Sequence, residues 1–164
     1  MKYSIIYSSL TGNTEKLAQT IYKSLPKEDC IYYGKPHPDA LNADRIYIGF
    51  WTDKGTCDND ISLFLSTLTS QEVFLFGTAG FGGNSKYFHT ILNRVQEKLP
   101  PKVHLIGSYM CQGKMPLSVR KRYEKMKKDS TTPNIDELLQ NFDIALTHPD
   151  NKDLSELLET IQNI

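Results

Sequence analysis

The sequence predicts an α/β fold: a doubly wound sheet of five parallel strands with helices on both faces, plus extra helices between the fifth strand and the last helix. Three observations predict it. Short β-branched or aromatic runs alternate with amphipathic helical patterns across short connections, which is the pattern of a parallel sheet. Val73-Phe74-Leu75-Phe76 is continuously apolar, as in a strand covered on both faces. Three strands end in loops rich in Gly, Thr and aromatic residues, and in a doubly wound sheet those ends share one edge, where ligands bind. The length of 164 residues suits one domain over 1–164.

The elements follow in order. A first strand is expected over 2–7. An amphipathic helix over 15–25 places Leu17, Ala18, Ile21 and Leu25 on one face, and Pro26 stops it. Cys30-Ile31-Tyr32-Tyr33 reads as a second strand, and two prolines between Gly34 and Pro38 break structure before a helical turn at 39–43. Arg45 to Phe50 is the third strand, ending in a loop from Trp51 to Cys57. A helix over 59–68 turns Ile61, Phe64, Leu65 and Leu68 inward. The fourth strand, 73–76, ends in a loop from Gly77 to Gly83. A helix over 85–99 follows, with Phe88, Ile91, Leu92 and Val95 inward, and Pro100-Pro101 ends it. Residues 103–107 form the fifth strand. Residues 110–149 then depart from the alternation: a loop at 110–116, a basic helix over 117–128, and a helix to about Leu146 capped by Thr132 with Pro133 at its first position. The last helix carries Leu154, Leu157, Leu158 and Ile161 on one face.

Composition excludes several classes. Lys plus Arg number 19 against 19 Asp plus Glu, and a pI near 6.9 argues against broad nucleic-acid affinity. No stretch approaches the roughly 20 apolar residues of a membrane helix, and the first residues read as a strand rather than a signal peptide. Cys30, Cys57 and Cys111 form no C-x-x-C pair, which fits a reducing compartment. The expectation is a cytoplasmic protein with neither nucleic acid nor membrane as partner. His37, His89, His104 and His148 are scattered, none beside a Cys or an acidic pair at ligand spacing, so no catalytic triad and no metal site is expected.

The chemistry concentrates at Ser9-Leu10-Thr11-Gly12-Asn13-Thr14, directly after the first strand. A helix start presents unpaired N–H groups and a positive dipole end, hydroxyls add donors, and Gly12 lets the backbone approach an anion. The residues read as a phosphate cradle, against the alternative of an ordinary capped turn. Two nucleotide motifs fail. Between Gly107 and Lys114 five residues separate the glycines, and Met115 stands where a Walker loop needs Ser or Thr; Gly80-Phe81-Gly82 meets Ser85 instead of a third glycine.

The six-residue loop closely resembles the phosphate loop of flavodoxins, a hydroxyl residue, any residue, then Thr-Gly-x-Thr. The resemblance covers about 1–107 and the final helix, the later loops matching by position and chemistry. It implies flavin mononucleotide, FMN, with its phosphate on Ser9 to Thr14 and its ring between Trp51, Thr52, Asp53, Lys54 and Gly55 on one side and Thr78, Ala79, Gly80, Phe81 and Gly82 on the other. Trp51 and Phe81 are the candidates to flank the ring. A peptide at Gly55 is expected to reorient with redox state and so tune the potential. The resemblance further implies an electron-transfer protein shuttling between a reductase and an acceptor enzyme as redox partner proteins. The alternative is an FMN-dependent reductase of a small organic substrate, quinone- or tetrapyrrole-like. A receiver-type regulatory module is disfavoured, because Phe50-Trp51 occupies the place of the phospho-accepting Asp.

Two departures stand out. Electron-carrying flavodoxins are strongly acidic, whereas this chain is neutral. The stretch 110–149 is extra, and its basic run reads as a solvated face or as a contact for an acidic partner. The loops at 49–58 and at Cys111-Gln112-Gly113-Lys114 look like a branch of flavodoxin-like proteins in anaerobic bacteria, some of which assist reductases, including ones acting on bilirubin.

Overall fold

The computed structural model describes residues 1–82, 84–130 and 132–164. Strand β1 (Tyr3–Tyr7) leads to helix α1 (Asn13–Ser24), then β2 (Cys30–Gly34), β3 (Arg45–Asp53), a short β4 (Thr56–Cys57), α2 (Asn59–Leu65), β5 (Glu72–Ala79), α3 (Ser85–Gln96), β6 (His104–Gln112), α4 (Leu117–Lys128), α5 (Ile135–Ala145) and α6 (Asn151–Gln162). Five strands run parallel in the order β2-β1-β3-β5-β6, and β4 pairs antiparallel with the end of β3. The chain order reverses at β1/β3, the switch point where such sheets bind ligands.

Alternation along the strands builds two cores. Ile6, Ile48 and Leu75 face α2 and α3, where they meet Ile61, Leu65, Ile91 and Val95. Their neighbours Ile5, Tyr47 and Phe74 face α1 and α6, where they meet Leu17, Ile21, Leu157 and Ile161. Each strand thus sends successive side chains to opposite faces. Helices α4 and α5 bury Tyr123, Ile135 and Phe142 in a third, smaller cluster of their own.

The register of β3 against β5 depends on missing side chains. Gly49 pairs with Phe76, and Phe50 pairs with Gly77. A Cβ on Gly49 would lie 2.3 Å from the Phe76 ring, and one on Gly77 would lie 2.4 Å from the Phe50 ring. Each glycine makes room for the phenylalanine opposite.

Three strands outrun their sequence signal. The third, fourth and fifth were expected to end at Phe50, Phe76 and Gly107, yet pairing continues through Trp51–Thr78 and Ala79–Gln112. Backbone pairing with a neighbour overrides the strand-weakening glycines, Gly77 and Gly107. The extra region therefore starts at Gly113, not at Met110. The Trp51–Cys57 loop is a hairpin, with Lys54 and Gly55 both at positive φ, as a two-residue type I′ turn requires. Helix α3 stops at Gln96 and α2 at Leu65, each a short turn before the expected end. Thr132 is not the cap of α5: Asn134 takes that place, with no side-chain hydrogen bond. His104 opens β6 from an exposed position. Among the described residues no helix is long and apolar enough to cross a membrane.

Candidate functional site

The site begins where β1 hands over to α1. The Ser8 N–H donates to the Gly49 carbonyl at 3.0 Å, which fixes the loop to β3. Gly12 then takes φ 86°, ψ −1°, the left-handed region, and opens α1 as its cap without a capping side chain. Ser9 Oγ accepts from the N–H groups of Gly12 at 3.1 Å and Glu15 at 3.3 Å. The first-turn N–H groups of Asn13 and Thr14 have no acceptor within the helix, and they sit at its positive dipole end. A Cβ on Gly12 would meet nothing within 4 Å, so space lies open in front of this helix start.

Thr14 ties the strand ends together. Fully buried, its Oγ1 lies 3.2 Å from the Phe50 carbonyl and 3.1 Å from Thr78 Oγ1. Thr52 Oγ1 donates to the Thr78 carbonyl at 2.9 Å. The hydroxyl of Thr14 is thus spent on architecture, and what it leaves for a ligand is its backbone N–H.

All three loops reach one cavity of about 110 Å³. Leu10, Thr11 and Asn13 line it from the first loop, Trp51 and Thr52 from the second, and Thr78, Ala79 and Gly80 from the third. Lys114, Met115 and Pro116 close it, and sequence reasoning missed them. Thr11 Oγ1 donates to the Lys114 carbonyl at 3.2 Å, and Asn13 Nδ2 donates to the same oxygen at 2.8 Å. Met115 lies against Gly80 so closely that a Cβ there would approach it to 2.5 Å. The one signal for this wall is position, because Gly113 to Pro116 directly follows a strand at the ligand-binding edge.

The remaining expected residues sit apart from the cavity lining. Asp53, Lys54 and Gly55 form the hairpin tip, where Arg94 Nη1 donates to the Gly55 carbonyl at 3.1 Å. Phe81 is 41 % exposed and packs edge-on against Tyr87, with ring centroids 6.4 Å apart, so it is Trp51 alone of the two aromatics that lines the cavity. Gly82 lies over Gln112, and Gly83 lies outside the described residues. Gln112 Nε2 and Asn141 Nδ2 both donate to the Gly80 carbonyl, at 2.9 and 3.1 Å, and so bolt α5 to the third loop.

A larger opening of about 510 Å³ lies beside β1 and β2, lined in part by Tyr7, Ser9, Lys35, Glu15 and Asp60. Two carboxylates in its wall oppose a phosphate dianion, so the smaller cavity is the better anion site. Cys57 and Cys111 are buried in cores on opposite sides of the sheet, and burial pushes both thiols up. They are neither a redox pair nor reactive thiolates. His148 Nδ1 lies 2.6 Å from Asp153 Oδ2, which also accepts from the Asp150 N–H to close a capping box on α6.

Asp58 supports the second loop from below. It is 3 % exposed and accepts from the N–H groups of Trp51 at 3.3 Å and Ile61 at 3.4 Å. Burial raises its carboxyl above the usual range, and hydrogen bonds from Ser8, Ile61 and Trp51 offset part of that. A raised folded-state value makes the ionised form a burden near neutrality. Its contribution is fully present below the unfolded value and fades as pH rises through the folded one. Asp58→Asn removes the charge but turns one of the two accepting oxygens into an NH2 that faces a backbone N–H. The variant is expected to lose about 1 kcal/mol at pH 4 and less at pH 7, where relief of the buried charge offsets the lost bond, read by urea unfolding at both.

Comparison with known proteins agrees with this architecture. The sequence profile of the flavodoxin domain matches residues 4–162. A flavodoxin-like domain-containing protein BilS of Clostridium symbiosum is 39 % identical over 173 aligned positions, covering 94 % of this chain and 91 % of that protein. The BilS of Clostridioides difficile is 33 % identical, covering 95 % and 92 %. Among solved structures, a flavoprotein in complex with FMN from Lactobacillus acidophilus superposes with a TM-score of 0.53 at 18 % identity, covering 67 % of this chain and 93 % of that one. This chain belongs to the flavodoxin domain family.

Proposed function

We propose that the protein binds FMN at this cavity and passes electrons between a reductase and an acceptor enzyme. The observation that carries the proposal is the convergence of three strand-end loops on an uncapped helix start opened by Gly12 at φ 86°. The residues fit the cofactor at its phosphate end. The first-turn N–H groups of Asn13 and Thr14, the Ser9 O–H and open space in front of Gly12 form a cradle for an anion, with the helix dipole behind it, while the Thr11 hydroxyl is spent on the Lys114 carbonyl. The ring end is tighter, since the cavity is smaller than the roughly 300–1,000 Å³ usual for ligand pockets. Met115 lies against Gly80 in the cavity wall, and an unbranched thioether side chain can swing aside at low cost.

When bound, FMN supplies the redox chemistry. The chain holds the phosphate through backbone N–H groups, offers the Trp51 indole as an apolar face, and keeps the loops in register through Thr14, Thr52 and Asp58. Family membership and the FMN-bound structural relative support the cofactor. Electron shuttling is the reading that membership of the flavodoxin domain family favours.

The test is direct. Purified protein titrated with FMN should quench flavin fluorescence, and after dithionite reduction it should pass electrons to an added acceptor. It should not oxidise NADPH with a quinone unaided. A protein that ignores FMN would refute the binding, and steady unaided NADPH oxidation would turn the reading to a reductase.

A further inference from the structure

The chain's neutral total conceals a strong asymmetry. Six of its nineteen Lys and Arg residues lie in α4, against one of its nineteen acidic residues. The rest of the body is therefore net acidic. Within α4, Arg120 pairs with Glu124 and Asp143, and Lys127 pairs with Asp136. Lys121, Arg122, Lys125 and Lys128 are exposed, with no ion pair among the described residues. Lys121, Lys125 and Lys128 share one face by helical spacing, while Val119, Tyr123 and Met126 turn to the cluster with α5.

A plain solvated face does not account for this. The helix dipole favours basic groups in the last turn, which covers Lys125 and Lys128. It does nothing for Lys121 and Arg122 at mid-helix, and like charges at i, i+4 destabilise a helix. A solvated surface is better served by mixed signs.

The location narrows the reading. Pro116 both caps α4 and lines the cavity. A rise of about 1.5 Å per residue puts Lys121 about 8 Å and Lys128 about 18 Å along the axis from that cap. A standard interface buries about 800 Å² per partner, a disc of about 16 Å radius, which exceeds the distance along the axis from Pro116 to Lys121 and Lys125 and leaves Lys128 near its rim. Large apolar side chains stand exposed at the same edge: Leu10 at 61 %, Phe81 at 41 % and Leu117 at 64 %.

Resting on the electron-transfer reading above, we propose that α4, with Leu10, Phe81 and Leu117, is the docking surface for a redox protein whose own electron-carrying group is surrounded by acidic residues. The polarity is the reverse of an acidic carrier meeting a basic partner. The apolar residues supply the dry centre of the contact, and the basic face steers the approach and sets its orientation.

The experiment measures association of the FMN-titrated full chain with two purified probes, an acidic 2Fe–2S ferredoxin and basic cytochrome c, at about 20 and 300 mM NaCl. Ferredoxin should bind at low salt and weaken by roughly tenfold or more at high salt, and cytochrome c should not bind. Lys121→Glu, Arg122→Glu, Lys125→Glu and Lys128→Glu together should abolish ferredoxin binding, and the four Gln substitutions should lose an intermediate share with an unchanged circular dichroism spectrum. Absence of ferredoxin binding, equal binding by the Glu variant, preference for cytochrome c, or equal attraction to phosphatidylglycerol vesicles would overturn the proposal. FMN fluorescence read on the same samples separates the two readings. FMN binding without ferredoxin binding removes the docking surface alone, and ferredoxin binding without FMN removes the proposed cofactor function.

Discussion

Gly12→Val is expected to weaken FMN binding at least about 100-fold while leaving the protein folded. Two effects act together. Gly12 sits at φ 86°, where a β-branched residue is a strained outlier costing roughly 1–2 kcal/mol. Beyond its chain neighbours, no atom lies within 4 Å of its missing Cβ, so the first added carbon meets open space and the fold has little reason to collapse. The side chain instead fills the space kept open for the phosphate. Charge-assisted hydrogen bonds from the helix start are each worth about 1.5–3 kcal/mol, and losing two accounts for the expected drop. Fluorescence titration gives the affinity and circular dichroism the fold. Tight binding in a folded Gly12→Val protein would place the phosphate elsewhere.

Gly49→Ala is expected to destabilise the protein by about 3 kcal/mol, the upper end for overpacking a core. The added methyl would lie 2.3 Å from the Phe76 ring and 2.9 Å from Thr14 Cγ2, and both neighbours are fully buried. The clash therefore strikes the β3–β5 register and the residue that ties α1 to the strand ends at once. Shrinking the opposing ring should relieve it, so Gly49→Ala with Phe76→Leu should cost less than the sum of the single changes. Urea midpoints of the three variants measure this, and strict additivity would contradict the cross-strand explanation.

Much of the fold is legible in the sequence because its signals are local. The apolar run at Val73–Phe76 and the helical spacing of Leu17, Ala18 and Ile21 need no tertiary knowledge to read. The strand ends are not legible. Gly49 and Gly77 interrupt the strand-like runs, and pairing with neighbours far along the chain carries the strands on through Trp51, Thr78 and Ala79. The first loop is legible as an anion cradle because its chemistry lies in consecutive residues. Two of its details are not. The Thr14 hydroxyl is drawn into contacts with Phe50 and Thr78, which are 36 and 64 residues away, so a Thr14 variant reports on stability as much as on ligand. The wall at Lys114 to Pro116 arrives from about a hundred residues downstream and carries no motif.

The aromatic pair shows the same limit. Trp51 lies within β3, paired with Thr78, whereas Phe81 follows the end of β5 and turns outward to Tyr87. Side-chain direction at a loop depends on the backbone that follows, and composition does not encode it.

The proposed account has one central claim, that the N-terminus of α1 holds the phosphate of FMN. The most direct test titrates the wild-type protein with FMN and with riboflavin, which carries the same ring without the phosphate, and repeats both with Gly12→Val. FMN is expected to bind about 100-fold more tightly than riboflavin, and Gly12→Val to narrow that gap by weakening FMN far more than riboflavin. Equal affinities for the two flavins, or equal losses for both in Gly12→Val, would contradict the claim.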